Sequence, residues 1–301
     1  MALTLGQDWI NQCRANLLGG YGEELNKLAN PYTAGGNTLT FTYPMGNIAS
    51  GSYLSIGLNI FYVWSVSGLA ATVSGGQNGS TDINLAANTL VRVNANFTDW
   101  DIWGALANDL PDLSSPLNGL FGMTYTDFTY TPPTLQYDLG TSAASNLLDV
   151  YEIRHLTPGN FKDFGRISEM AWERHFNAVT ADIPSGMGIE LKNLAGLVPS
   201  YKVRVFWKSA FVLPTDPSAA LTTSLVPTTA YDLPPLGAAI ALMAGREIKR
   251  NFTGSQGDVR RAVEVPAGAV AASPNGLKQL RLARIEAEAS RLLNMYPPYR
   301  D

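Results

Sequence analysis

The chain has 301 residues, of which 46% are hydrophobic and 10% aromatic, and this core-forming content excludes an intrinsically disordered protein. Only 15% of the residues are charged, against roughly 25% in typical globular proteins, so much of the surface is neutral and polar or is covered by neighbouring molecules. The net charge of -4 and a pI near 5.3 exclude the overall positive field that drives non-specific binding to nucleic acids.

The sequence shows no targeting or membrane segment. Residues 1–8 lack the basic and continuous apolar regions of a secretory signal, so we expect no export. The longest apolar runs, such as residues 236–245, are about half of the roughly 20 residues that span a bilayer. The single cysteine, Cys13, excludes an intrachain disulfide, and we interpret it as a small apolar residue that is partly buried.

The N-terminal segment has a helical pattern. Apolar residues recur at three- and four-residue steps from Thr4, the predicted N-cap, to about Asn30. Glycines at positions 19, 20 and 22 interrupt the pattern, which predicts two short helices or one kinked helix that ends before Pro31. The apolar positions are Leu5, Trp9, Ile10, Cys13, Leu17, Leu25 and Leu28.

From about Asn37 to Pro214 the composition is typical of β-structure, with β-branched and aromatic residues between clusters of Gly, Pro, Asn and Ser. Strands are predicted at residues 38–43, 53–66, 82–96, 125–130, 147–156, 188–194 and 201–213. Many short strands separated by turn signals favour an antiparallel sandwich over a βαβ architecture.

One predicted helix interrupts this β-rich block. Thr98 and Asp101 form a capping box, and apolar residues follow at helical spacing until Pro111. The pattern of residues 164–176 fits either a helix or strands, and both alternatives remain open.

The last part of the chain is predicted to be helical again. Asp232 is placed to cap a helix that has two prolines in its first turn and an apolar face up to about Phe252. Ser273 and Pro274 then start a final helix, whose apolar residues alternate three- and four-residue steps up to Tyr296.

These patterns predict an α+β fold: a helical bundle formed by the N- and C-terminal segments, with a large antiparallel β-sandwich-like insertion. The predicted domains are the bundle, residues 1–36 and 216–301, and the β-rich insertion, residues 37–215. Within the bundle, residues 4–30 are expected to pack with residues 233–252 and 274–296, because each segment presents one apolar stripe that needs a partner.

The histidines give no catalytic or metal-binding pattern. His155 and His175 lack the H-E-x-x-H and C-x-x-C surroundings of zinc sites. A triad of either histidine with Asp149 or Asp163 and a serine would lack the G-x-S-x-G motif of many hydrolases. We predict no metal site.

The carboxylate pairs also have simpler explanations than catalysis. Asp99 and Asp101 occupy the first turn of a predicted helix, where negative charge complements the helix dipole, and Glu169 and Glu173 would be solvated helix neighbours. The sequence has no phosphate-binding G-x-x-x-x-G-K-[ST] or G-x-G-x-x-G motif. We therefore predict no enzyme and no cofactor.

One charged cluster stands out on the final helix. It consists of Lys278, Arg281, Arg284 and Arg291, interleaved with Glu286 and Glu288. Such a cluster is either a solvated face with ion pairs, for example between Arg284 and Glu288, or a contact surface for an acidic partner.

The C-terminal third resembles a known family. Residues 232–250, DLPPLGAAIALMAGREIKR, and residues 263–269 and 284–297 resemble head-tail adaptor (connector) proteins of tailed bacteriophages. Residues 3–6 are similar to the first helix of such proteins, whereas the other matching segments lie in the C-terminal third of the chain. Segments 100–103, 117–121 and 150–154 are similar in character to phage virion proteins.

This resemblance implies a structural virion protein of the neck, in a ring, usually of twelve copies, that docks beneath the portal and lets DNA pass through its lumen. The implied partners are the portal protein, tail or stopper/terminator proteins and further copies of the chain, without a membrane. The implied location is the virion, and the host cytoplasm during assembly. The C-terminal helix and tail would contact the portal or a neighbouring subunit through Lys278, Arg281, Arg284, Arg291, Tyr296, Tyr299, Arg300 and Asp301.

The main alternative is a carbohydrate- or receptor-binding virion module, in the tail or as a capsid decoration. Tyr53, Trp64 and Trp100 of the β-rich block could stack on sugars, and packing in a core accounts for them equally well. In the adaptor interpretation, the β-rich insertion is expected to form an outward-facing collar or decoration.

Overall fold

The computed structural model describes residues 3–18, 25–44, 46–140, 145–156, 166–192, 197, 199–254 and 269–297, with side chains described outside 245–254 and 269–274. The described helices are α1 (Gly6–Leu18), α2 (Asp99–Leu113), α3 (Leu233–Gly254) and α4 (Ala269–Met295). The strands are β1 (Leu25–Lys27), β2 (Thr38–Thr40), β3 (Tyr53–Ile56), β4 (Asn59–Ser67), β5 (Ala70–Ser74), β6 (Leu90–Val93), β7 (Gly122–Thr129), β8 (Gln136–Asp138), β9 (Leu147–Leu156), β10 (Arg166–Ile167), β11 (Trp172–Phe176), β12 (Met187–Leu191) and β13 (Lys202–Ser209). Short 3-10 helices lie at Gln77–Gly79, Pro116–Asn118, Glu169–Ala171, Leu221–Ser224 and Thr228–Ala230.

The chain divides into two compact units. Unit 1 comprises Met1–Asp109, Asp216–Ser218 and Tyr231–Arg284, and unit 2 comprises Leu110–Thr215, Ala219–Ala230 and Ile285–Asp301. Each unit contains β-sheet, and helices α2 and α4 contribute residues to both units.

Unit 1 is built on a six-stranded antiparallel sheet with the order β1-β6-β3-β4-β5-β2. Side chains alternate along β4, so Phe61 and Val63 are buried while Tyr62 and Trp64 lie on the other face. The two outermost strands are β1 and β2. Leu28, directly after β1, forms an antiparallel bridge with Phe41, directly after β2, and the sheet curls into a half-barrel. Its core includes Leu28, Leu39, Phe41, Leu54, Ile56, Phe61 and Val91.

Helices α1 and α2 of unit 1 illustrate helix packing and helix capping. Helix α1 packs against α3, with the Trp9 ring edge-to-face on Tyr231 at a centroid distance of 6.1 Å. The predicted capping box of α2 is confirmed, because Thr98 Oγ1 donates to the Asp101 carboxylate at 2.7 Å and the Asp101 N–H donates to Thr98 Oγ1 at 3.0 Å. The helix continues past Pro111 and ends at Leu113.

A buried ion network joins α1, α2 and β6. The Asp99 carboxylate forms a salt bridge with Arg14, and Arg92 Nε lies 3.8 Å from the same carboxylate oxygen. Arg14 also donates to the Phe97 carbonyl at 2.8 Å, and the Asp99 N–H donates to Ser55 Oγ at 3.3 Å. Since the three charged side chains are almost fully buried, these contacts replace the water that would otherwise solvate them.

Cys13 lies fully buried on α1. Burial raises the pKa of its thiol to about 12, so the nucleophilic thiolate is scarce at neutral pH. We predict that Ellman's reagent at pH 8 reacts with the native chain at least about a hundredfold more slowly than with the chain in guanidinium chloride. Equal rates in the two conditions would contradict a closed packing around α1.

Unit 2 contains two antiparallel sheets, with the orders β10-β9-β13-β7 and β11-β12-β8. Strand β13 buries Val203, Val205 and Trp207, which alternate with half-exposed residues, as expected for a strand with one face in a core. Ile153 from the four-stranded sheet and Ile189 from the three-stranded sheet belong to the same core cluster. The two sheets therefore share one hydrophobic core.

The predicted fold class, a helical bundle of the terminal segments with a β-sandwich-like insertion, is wrong. The described chain is mostly β-structure in three sheets, and the strands are not confined to residues 37–215. Residues 25–27, predicted to be helical, form strand β1 and pair with β6. Their place in the sheet is decided by pairing with residues about 65 positions away, which local periodicity does not report.

Helix α4 accounts for the rest of the error. Its buried residues Ile285 and Leu292 belong to unit 2, and the following Tyr296 packs its ring against Phe121 and Tyr151. An apolar stripe requires a buried face but does not specify what covers it.

Candidate functional site

The histidines that the sequence offered for catalysis occupy separate places. His155 is buried on β9, with its ring centroid 5.8 Å from that of Tyr201. His175 lies on β11, and its Nε2 is 2.9 Å from the Glu190 carboxylate. Asp163 lies outside the described residues. Within the described parts of the chain, no group of three or more His, Cys, Asp or Glu side chains is arranged to hold a metal ion.

The carboxylate pairs have structural contacts. Asp99 binds Arg14 in the buried network, whereas Asp101 is engaged in the helix cap. Glu173 forms an ion pair with Lys192, and hydrogen bonding to this lysine lowers the pKa of the Glu173 carboxyl. Three of the four carboxylates, Asp99, Asp101 and Glu173, therefore have structural roles that require no catalysis.

The predicted interface residues in the first half of α4 form ion pairs with unit 1. Arg281 Nη2 lies 2.6 Å from Asp109 Oδ1 on α2. Arg284 donates from Nε and Nη2 to the two carboxylate oxygens of Asp232, each at 2.9 Å. These charge-assisted hydrogen bonds hold α4 in place, while Lys278 is exposed.

The second half of α4 is held by unit 2. Arg291 lies 2.5 Å from Glu288, and hydrogen bonding to this carboxylate raises the pKa of Arg291. The Glu288 side chain is buried and also accepts a hydrogen bond from Thr229 Oγ1 at 2.7 Å. Tyr296 is half-buried against two aromatic rings. Tyr299, Arg300 and Asp301 lie outside the described residues.

Helix α4 also leaves large apolar side chains exposed. Leu280 and Leu282 are 50% and 58% exposed in the first half, and Leu293 and Met295 are each 54% exposed in the second. Leu292, next to the latter pair, is only 2% exposed. Apolar side chains on the solvent side of a helix that is already packed are typical of a surface that another molecule covers.

Three aromatic residues, Tyr53, Tyr62 and Trp64, form what we call the aromatic row on the outer face of the six-stranded sheet. Tyr53 and Tyr62 are cross-strand partners with ring centroids 5.4 Å apart, and Tyr62 lies 4.7 Å from Trp64. Sequence reasoning named Tyr53 and Trp64 but missed Tyr62. Its alternation with the buried Phe61 and Val63 was the available signal. Trp100, also named from the sequence, is half-buried on α2.

A second, partly exposed surface lies on the four-stranded sheet of unit 2. Arg166, Arg154 and Arg204 are cross-strand neighbours on β10, β9 and β13, and we call them the arginine row. The Arg204 guanidinium lies 3.9 Å from the centre of the Tyr125 ring, and that of Arg154 lies 5.3 Å from the centre of Phe206. Arginine and aromatic side chains are enriched at protein–protein contacts.

Carboxylates hold the arginine row in position. The buried Glu152 pairs with Arg154 and Arg166, and Asp127 accepts two hydrogen bonds from Arg204 at 2.7 and 2.8 Å. The hydrogen bonds from Arg204 lower the pKa of Asp127. Sequence reasoning missed this surface because its members come from separate strands.

No protein-family model matches the chain, and a search of curated proteins finds no match. Among the described helices, none is both long enough and apolar enough to cross a membrane.

Proposed function

We propose that this chain is a structural virion protein that acts as a head-to-tail adaptor subunit. In this proposal, copies of the chain form a ring between the portal and the tail of a tailed bacteriophage, and DNA passes through the lumen. The partners are the portal protein, tail or stopper proteins and neighbouring copies. The resemblance of residues 232–250, 263–269 and 284–297 to phage adaptors supports the proposal. A helical bundle is no longer part of it.

The observation that carries the proposal is the exposed apolar surface of α4. Asp109 and Asp232 of unit 1 engage Arg281 and Arg284, so these two ion pairs position the first half of the helix, while Arg291 pairs with Glu288 within the helix. Leu293 and Met295 are then presented to solvent from an ordered helix. Since each of these side chains is 54% exposed, covering the exposed part of one contributes about 1–1.5 kcal/mol, which favours association with a neighbouring copy.

Two further features support an assembly role. The arginine row, with Tyr125 and Phe206, has the composition that protein interfaces favour. The low charge content of the chain also lowers the repulsion and desolvation that oppose packing of identical copies.

Ring formation can be tested by substituting glutamate for Leu293 and Met295 together. We expect the wild-type chain to form closed rings in mass photometry and negative-stain microscopy, and the double variant to dissociate to monomers. Loss of about 3 kcal/mol or more per contact would weaken each subunit contact on the order of a hundredfold.

Met170→Glu is the matched control, because it places the same charge on an exposed apolar side chain, 83% exposed, that lies outside α4. This variant should retain rings. A chain that stays monomeric in assembled particles would refute the adaptor proposal, and rings of unchanged stability in the double variant would exclude α4 as the contact.

A further inference from the structure

We infer that the aromatic row of unit 1 is a binding site for a neutral oligosaccharide. This would be a second function of the chain, and it does not depend on the proposed ring.

The first observation is the exposure of three adjacent aromatic rings. Trp64 is 59% exposed and Tyr53 is 41% exposed, and Tyr62 between them is half-exposed. The sheet buries its own core residues on the opposite face, so these rings contribute little to that core. Grouped exposed aromatics mark binding surfaces far more than single ones do. Tyrosine and tryptophan also keep a polar group beside the apolar ring.

The second observation is a β-bulge at Trp64. The register between β4 and β5 shifts between Val63 and Ser65, so that Trp64 and Ser65 are both exposed where β5 presents Thr72. Bulges redirect side chains and often lie beside binding sites. Here the bulge keeps Trp64 on the same face as Tyr62, in ring contact with it.

The third observation is the neutral character of the side chains that border the aromatic row. Ser74 lies opposite Tyr62, Thr38 lies opposite Thr72, and Asn94 accepts a hydrogen bond from the Tyr53 N–H at 2.9 Å. Hydroxyl and amide groups of this kind match the hydroxyls of a sugar, whose C–H faces pack on aromatic rings. A single-stranded nucleic acid would instead require basic side chains along its phosphates.

The angles between the ring planes favour an oligosaccharide of several sugar units over a single flat ligand. Tyr53 and Tyr62 are inclined at 67°, and Tyr62 and Trp64 at 74°, so the surface is stepped. Successive sugars in an oligosaccharide are rotated about their glycosidic bonds and can follow such steps.

Isothermal titration calorimetry of the full chain with cellohexaose, maltohexaose and hexa-N-acetylchitohexaose tests the proposal, with hexagalacturonate as the acidic probe. We expect at least one neutral hexasaccharide to bind and hexagalacturonate not to bind. Trp64→Ala should weaken binding about tenfold or more, since one lost stacking contact of about 1.4 kcal/mol is tenfold in affinity. Tyr53→Ala is the second test variant, because it also truncates an exposed ring.

Tyr125→Ala in unit 2 is the matched control: this tyrosine is 53% exposed but lies outside the aromatic row, so its loss should leave the affinity unchanged. Circular dichroism should show wild-type spectra for all three variants. The proposal is overturned if none of the neutral probes binds at millimolar concentration, if only the acidic probe binds, or if folded Trp64→Ala and Tyr53→Ala bind as tightly as wild type.

Discussion

Replacing Asp99 with alanine is expected to destabilise unit 1 by about 3–5 kcal/mol. The substitution removes the carboxylate that both Arg14 and Arg92 approach in the buried network. Two guanidinium groups would then remain buried near each other without this counter-charge, and desolvation of charged groups is among the largest unfavourable contributions in proteins. Arg14 would keep its hydrogen bond to the Phe97 carbonyl, which limits the loss.

The free energy of unfolding can be measured by urea titration followed by circular dichroism, with the transition of each unit fitted separately. Asp101→Ala is the matched control in the same helical turn. Asp101 is exposed and serves only the cap, so its loss should cost about 1 kcal/mol. Equal losses for the two variants would show that the Asp99 network contributes no more than a surface cap.

Gly237→Ala is expected to destabilise unit 1 by about 3 kcal/mol or more, although alanine normally favours a helix over glycine. A Cβ atom at Gly237 on α3 would overlap the carboxylate of Asp109 on α2. That carboxylate is held by Arg281, so it cannot move aside without loss of the ion pair that anchors α4. Overpacking and loss of the pair therefore act together.

Gly104→Ala is the comparison variant, and its expected effect on stability is the opposite. Gly104 lies on α2 with no atom within 4 Å of an added Cβ, so alanine should leave stability unchanged or raise it by up to about 1 kcal/mol. In an Asp109→Ala background, Gly237→Ala should cost less than in the wild type, because the overlapping carboxylate is gone. Strict additivity of the two substitutions would disprove the overlap.

Several local features of the fold could be predicted from the sequence. The capping box of Thr98 and Asp101 starts α2 where predicted, because the cap requires only residues three positions apart. The two C-terminal helices were also predicted, although α4 begins at Ala269, earlier than the expected Ser273. These elements depend on periodicity and capping, and the residues that form such patterns are only a few positions apart in the sequence.

Part of the candidate binding surface could also be predicted. Tyr53 and Trp64 were named from composition alone, whereas Tyr62 became evident through its pairing with Tyr53 across β3 and β4. The arginine row could not be predicted, since Arg154 and Arg204 are neighbours only because β9 pairs with β13. Strand order depends on the whole sheet, so no local pattern reports it.

The sequence by itself therefore determined some local elements: the capping box that starts α2, and the presence of the helices α3 and α4 near the C-terminus. The tertiary structure alone decided that residues 25–27 enter a sheet and that α4 is held partly by Tyr296 against Phe121 and Tyr151. The physical reason is that an amphipathic pattern predicts which face of an element must be buried. Which element covers that face depends on the relative stability of all possible packings in the chain.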